Sequence, residues 1–184
     1  MRAPIWLALL LALLCACSSE SGRDYVNSDP ELKADMTVAV LPFENLSNQG
    51  NAGVVAAQLI ASELYNQGLF QMMEETEVRK RLNDGKVDIN RLSNAAEARQ
   101  VAKLLQVDAV LIGAVSEFGY QHGLREEPTV GMNARLVSAN DGKVLWVASH
   151  AAVGPGLFAR ESLTETAQRV ARRMVGGLRA GVRR

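Results

Sequence analysis

The residues with the most chemistry to offer are two cysteines, Cys15 and Cys17, and two histidines, His122 and His150. The cysteines stand one residue apart within LALLCACSSE. A disulfide between residues two apart departs from the preferred Cα separation of about 5.5 Å and dihedral near 90°. Zinc takes four ligands, and no His or second Cys pair stands nearby to complete them. The flanking sequence points to a different chemistry. Met1 and Arg2 lead, through Ala3 and Pro4, into an apolar run over residues 5–14. That run is about half of the ~20 residues a helix needs to cross a bilayer. A positive start, a short apolar core and small residues after it are the layout of a secretory signal peptide.

Signal peptidases require small side chains beside the cleaved bond. Cys17 is preceded by Leu14-Cys15-Ala16, which resembles the bacterial lipobox, whereas Cys15 has Leu13 and Leu14 immediately before it. Cleavage before Cys17 divides the chain into a lipoprotein signal peptide (1–16), a lipidated Cys17 with a flexible tether (17–35) and a periplasmic domain (36–184). Cys17 then becomes the acylated first residue and the membrane becomes the first partner. The rival is an ordinary signal peptide cut elsewhere, which leaves a soluble periplasmic protein.

A catalytic constellation is hard to assemble from what remains. No Gly-x-Ser-x-Gly elbow and no His-Glu-x-x-His occur in the chain,. A Ser-His-Asp set needs no proximity in sequence, so composition leaves it open. His122 falls on an expected loop and His150 at an expected strand end, positions that suit structural or solvent roles. Gly50-Asn51-Ala52-Gly53 lies between a strand and a helix amino terminus, where backbone N–H groups hold anions. It lacks both the Gly-x-Gly-x-x-Gly spacing and the Lys-Ser/Thr of a P-loop, so its glycines read as a tight turn. Asp141-Gly142 is a turn without the repeated acidic spacing of a calcium loop. The reading is therefore of no catalytic residue, no metal ligand and no cofactor. At the other end of the chain stand Arg169, Arg172, Arg173, Arg179, Arg183 and Arg184. They suit a helix carboxyl end. The sharper reading makes Arg172, Arg173, Arg183 and Arg184 a contact to anionic lipid or to an acidic partner protein.

Length and composition bound the rest. The 184 residues suffice for one ordinary domain,. Hydrophobic residues at 48%, charged residues at 22% and a formal net charge of +0 describe a globular chain with no global attraction for nucleic acid,. Residues 18–35 are polar and lack apolar periodicity, which reads as a tether spanning on average about 23 Å and, taut, roughly 60 Å. Residues 36–43 form an apolar, β-branched strand signal, a loop follows, and residues 52–66 read as a helix with Val55, Leu59, Ile60 and Leu64 inward and Gly68 at its end. A strand over 69–73 completes a βαβ unit. A short surface helix over 74–82 precedes a helix starting near Asn94, capped by Asn94 with Glu97, whose buried face is Ala98, Val101, Leu104 and Leu105. Residues 107–118 form the most apolar strand, expected at the sheet centre. Strands over 130–137 and 144–148 flank the Asp-Gly turn as an antiparallel pair. A last helix opens at Ser162 with Glu165 and carries Leu163, Ala167, Val170, Ala171, Met174 and Leu178 on one stripe. The fold expected is a single α/β domain: a mixed sheet of about five strands with packed helices, one βαβ unit followed by an antiparallel hairpin and a C-terminal helix.

The pieces VAVLPFEN (38–45), LFQMME (69–74), VDAVLIG (107–113), ARLVS (134–138) and DGKVLW (141–146) occur in this order. The order resembles the periplasmic α/β domain of the curli-secretion (CsgG-like) lipoproteins. It is also similar to the amino-terminal domain of the Tol-system β-propeller protein and to the peptidoglycan-synthase activator lipoproteins. The resemblance covers about residues 36–179. It implies a non-enzymatic, outer-membrane-anchored lipoprotein that faces the periplasm and works by protein contacts without a cofactor. An accessory or scaffold role in envelope assembly or secretion follows, with a ring-shaped homo-oligomer open and the envelope partner unnamed. A regulator of peptidoglycan synthesis is the alternative reading, and an envelope enzyme or nucleotide-binding protein the disfavoured third. The curli members form a pore from long amphipathic hairpins. A membrane hairpin needs two segments of about 9 to 11 alternating residues, and the stretch between strands here, residues 119–129 (GYQHGLREEPT), reads as a short polar loop. The chain is therefore not expected to form a pore itself.

Overall fold

In the computed structural model, the described residues are 20–28, 32–88, 92, 94–122, 126–154 and 161–183. The elements run β1 (Glu20–Val26), β2 (Leu32–Lys33), β3 (Thr37–Val40), β4 (Glu44–Asn45), α1 (Ala52–Gln67), β5 (Gln71–Met72), α2 (Glu75–Asp84) and α3 (Ala95–Leu105). They continue with β6 (Ala109–His122), β7 (Glu126–Ser138), β8 (Val144–Val153), α4 (Leu163–Arg179) and β9 (Val182–Arg183). The main sheet has seven strands in the order β1-β8-β7-β6-β3-β5, with β4 also pairing β6, and β2 with β9 makes a small second sheet. The class is the mixed α/β fold read from the sequence, with more strands than five.

Helices cover the sheet on both faces. On one face, Ala56, Ile60 and Leu64 of α1 and Val170, Met174 and Leu178 of α4 pack on Val40, Leu111, Leu136 and Trp146. On the other, Val78 and Leu82 of α2 with Val101 and Leu105 of α3 pack on Ala39, Leu41, Val110 and Ile112. The parallel β3 and β6 are buried from both sides, which is why their sequences are apolar without alternation,. Their register pairs Val38 with Ala109 and Val40 with Leu111.

The local signals place most boundaries. Gly68 closes α1 in the left-handed conformation at φ 58°, with its N–H directed at the last-turn carbonyls,. Asn94 caps α3 through Glu97 N at 2.9 Å. Ser162 and Glu165 form a reciprocal capping box on α4, the Ser162 N–H donating to Glu165 at 2.7 Å and the Glu165 N–H to Ser162 at 3.2 Å,. Beyond the Asp-Gly turn, β7 and β8 pair antiparallel as expected.

Four sequence expectations are corrected. Residues 20–26 of the expected tether form edge strand β1, antiparallel to β8 from Glu20↔Ala152 to Val26↔Trp146, and Leu32 of the same stretch is fully buried. β1 is too polar for a local window to read as a strand; its pairing comes from a partner more than a hundred residues away. The expected loop 119–129 is mostly strand, because β6 and β7 stay paired out to His122↔Glu126. Pro128 is tolerated there because the β7–β8 ladder ends at Thr129↔Val153,; its carbonyl still accepts from the Gly154 N–H at 2.8 Å. The buried face of α1 is made of small residues, Ala52, Gly53, Ala56 and Ala57, with Ile60 and Leu64, while Val55 and Leu59 are only half-buried. On α3, Ala102 is buried and Leu104 is exposed.

Candidate functional site

The sequence-selected residues are scattered in space. Cys17 and Arg184 lie outside the described residues, and so does the side chain of Arg183, whose backbone pairs with Lys33 between β9 and β2. Arg172 and Arg173 project from the middle of α4, both exposed. The nearest carboxylate to Arg172 belongs to Glu63 on α1, 3.9 Å from its Nε. One turn earlier Arg169 is half-buried and held by Glu161, with Nε at 3.0 Å and Nη2 at 2.7 Å from its two carboxylate oxygens. Burial, and next the neighbouring Arg173, push the Arg169 guanidinium below its ordinary pKa. The basic series is therefore a helix stripe, not one cluster.

His150 is joined to Asp24 of β1, its Nε2 at 3.0 Å from Oδ1. An imidazole oriented by a carboxylate is half of a general-base arrangement. The ring lies over Gly22: a methyl group there would sit 2.3 Å from His150 Nδ1. The pair fastens β1 to β8. The carboxyl end of α4 closes over the same strand, since a Cβ on Gly177 would meet the Asp24 carboxylate at 2.7 Å and one on Gly181 would meet Val26 at 2.2 Å. Sequence reading missed this constellation; the signal available was the every-second-residue set Gly22, Asp24 and Val26, the face turned toward His150 and the carboxyl end of α4.

The glycine loop before α1 is a turn. A Cβ on Gly53 would lie 2.1 Å from the Phe43 carbonyl oxygen, and Phe43 N–H donates to the Gly53 carbonyl at 3.2 Å. The helix start is thus pressed on the segment between β3 and β4, and the Ala52 N–H at that start already donates to the Gln49 carbonyl at 3.1 Å. Among the described residues no group of three or more His, Cys, Asp and Glu is placed to hold a metal ion, and no helix is long and apolar enough to cross a membrane.

Two concave surfaces among the described residues bear on recognition. A groove of about 650 Å³ between α1 and α2 is lined by Val40, Pro42, Val54, Tyr65 and Met73, with Glu75 and Arg79 at its rim. Its Ser62 hydroxyl is spent on the Gln58 carbonyl at 2.8 Å, so the groove offers apolar contact beside an ion pair, the chemistry of protein recognition. A shallower cleft of about 460 Å³ lies where β6 and β7 run beyond the rest of the sheet, lined by Leu46, Ser47, Phe118, Tyr120 and Thr129. Leu46 and Tyr120 are among the most exposed large apolar side chains, at 61% and 48%.

Comparison with known proteins adds to this geometry. No curated protein sequence matches the chain. Among solved structures, the PelC dodecamer from Paraburkholderia phytofirmans aligns with TM-score 0.64 at 22% identity, covering 90% of this chain and 99% of that one. Lipoprotein GNA1162 from Neisseria meningitidis aligns with TM-score 0.56 at 23% identity, covering 79% and 99%. The C-terminal domain of LpoB from Salmonella enterica aligns with TM-score 0.50 at 18% identity, covering 67% and 85%. These likenesses concern the fold. The family model for the curli production assembly/transport component CsgG matches residues 20–170, from the first residue of β1 into α4, and the chain belongs to that family.

Proposed function

We propose that the chain is a non-enzymatic lipoprotein, acylated at Cys17, anchored in the outer membrane facing the periplasm, and acting as an accessory or scaffold in envelope assembly or secretion by forming a ring of copies. The observation that carries this reading is the match of the whole sheet-and-helix unit to the CsgG family, together with a fold shared nearly end to end with a dodecameric protein. The arrangement of His150 fits the non-enzymatic part, since its contact with Asp24 fastens β1 to β8. A pore made by this chain alone finds little support: past Thr129↔Val153, where β8 ends, β7 continues only through Pro128, Glu127 and Glu126, far short of the about 9 to 11 residues a membrane strand needs.

The mass of the mature chain carrying Cys17→Ala, purified from the periplasm, tests the ring. A discrete oligomer of many copies is expected. A monomer at all concentrations overturns the ring and favours the second reading, a regulator of peptidoglycan synthesis that works through protein contacts. The likeness to the LpoB domain favours that second reading. Against it stands the loss of the tether, because β1 takes residues 20–26 into the sheet and removes the reach a regulator spanning the cell wall needs.

A further inference from the structure

We infer that the outer end of the β6–β7 hairpin rests on the phospholipid headgroups of the membrane that holds the Cys17 lipid, with the carboxyl end of α4 pointing away from that membrane. The inference rests on the acylation of Cys17 proposed above.

Covalent reach sets the geometry. Cys17 precedes Glu20, the first residue of β1, by three positions, so its Cα lies within about 11 Å of the Glu20 Cα even at full extension. Glu20 pairs with Ala152, Ala152 with Val130 and Val130 with Phe118. Beyond that level the hairpin continues through Thr129, Pro128, Glu127 and Glu126 on one strand and out to His122 on the other. Four further residues carry it about 13 Å outward. The hairpin end therefore projects as far beyond Glu20 as Cys17 can reach. An acyl chain buried in the bilayer holds its cysteine at headgroup depth, and the hairpin end is brought to the same depth.

The side chains there suit that layer. Tyr120, opposite Pro128, presents a half-exposed ring with a polar tip, the kind of residue favoured at membrane–water interfaces. Leu46 opens into the same cleft. Glu127 matches the ammonium group of phosphatidylethanolamine better than an anionic headgroup. At the opposite end, β1 finishes at Val26 beside Gly181, six residues or about 20 Å from Glu20 along the strand. Exposed Arg179, in the last turn of α4, thus lies at the end away from the anchoring bilayer.

The test uses the full chain, purified from membranes and reconstituted in vesicles of phosphatidylethanolamine and phosphatidylglycerol, with its intact mass measured on the same sample. A nitroxide is placed at Gln121→Cys or at Ala180→Cys, both exposed positions, and its accessibility to a water-soluble nickel chelate is read. The expected result is acyl mass on Cys17, with accessibility at 121 reduced several-fold relative to 180. Acyl mass with equal accessibility at the two positions, or with protection at 180 only, overturns the orientation and leaves the lipoprotein reading standing. A chain without acyl mass overturns both.

Discussion

His150 and Asp24, 126 positions apart in the chain, are joined at 3.0 Å between Nε2 and Oδ1. That contact, with the ring lying over Gly22, turns a polar N-terminal stretch into the edge strand of the main sheet. On the proposed acylation of Cys17, it also sets how far the domain stands from the membrane, because every residue β1 contributes to pairing is removed from the tether.

Gly22→Ala is expected to displace the His150 ring and break its contact with Asp24. The loss concentrates on one strand. Hydrogen exchange should show the β1 amides opening faster while the β6–β7 amides keep their protection. Unchanged β1 protection contradicts the latch.

The contrast between β1 and β6 shows what could be read from the sequence. β6 is legible because Val110, Leu111, Ile112 and Val115 form a run whose local composition demands burial on both faces, and the caps at Asn94 and Ser162 are legible because each is satisfied within three residues. β1 is illegible because its reasons are distant: Gly22 is small to receive His150, and Gly177 is small to receive Asp24. The extension of β6 and β7 was hidden similarly, since the polar pairs Gln121↔Glu127 and His122↔Glu126 are held by register and not by burial. Of the candidate site, Cys17 and the basic stripe come from the sequence alone, whereas the contact of His150 with Asp24 becomes visible only in three dimensions.

Trp146→Ala is expected to cost about 3–5 kcal/mol. The indole is fully buried on β8, paired with Val26 on one side and Leu136 on the other, so its loss leaves a cavity that neither neighbour can fill. Denaturant unfolding monitored by circular dichroism measures the difference. A cost below about 1 kcal/mol contradicts its place at the centre of the core.

Acid should weaken the helix starts. Hydrogen bonding to the Ser162 N–H lowers the Glu165 pKa, and the Thr76 hydroxyl, followed by the backbone N–H groups of Thr76 and Glu77, lowers that of Glu74. A carboxylate whose folded pKa lies below its unfolded value contributes stability above the ordinary carboxylate range and loses it as pH falls through the folded pKa. Melting temperature should therefore drop on acidification below that range. Glu165→Gln should show a smaller drop than wild type, and Ser162→Ala should cost about 1 kcal/mol at neutral pH. Identical pH profiles for wild type and Glu165→Gln contradict this assignment.

Place is the central claim, and metabolic labelling with a fatty-acid analogue, read in separated inner- and outer-membrane fractions, tests it most directly. The account predicts label on the wild-type chain in the outer-membrane fraction and none on Cys17→Ala. A wild-type chain that carries no label, or a Cys17→Ala variant labelled as strongly as wild type, contradicts it.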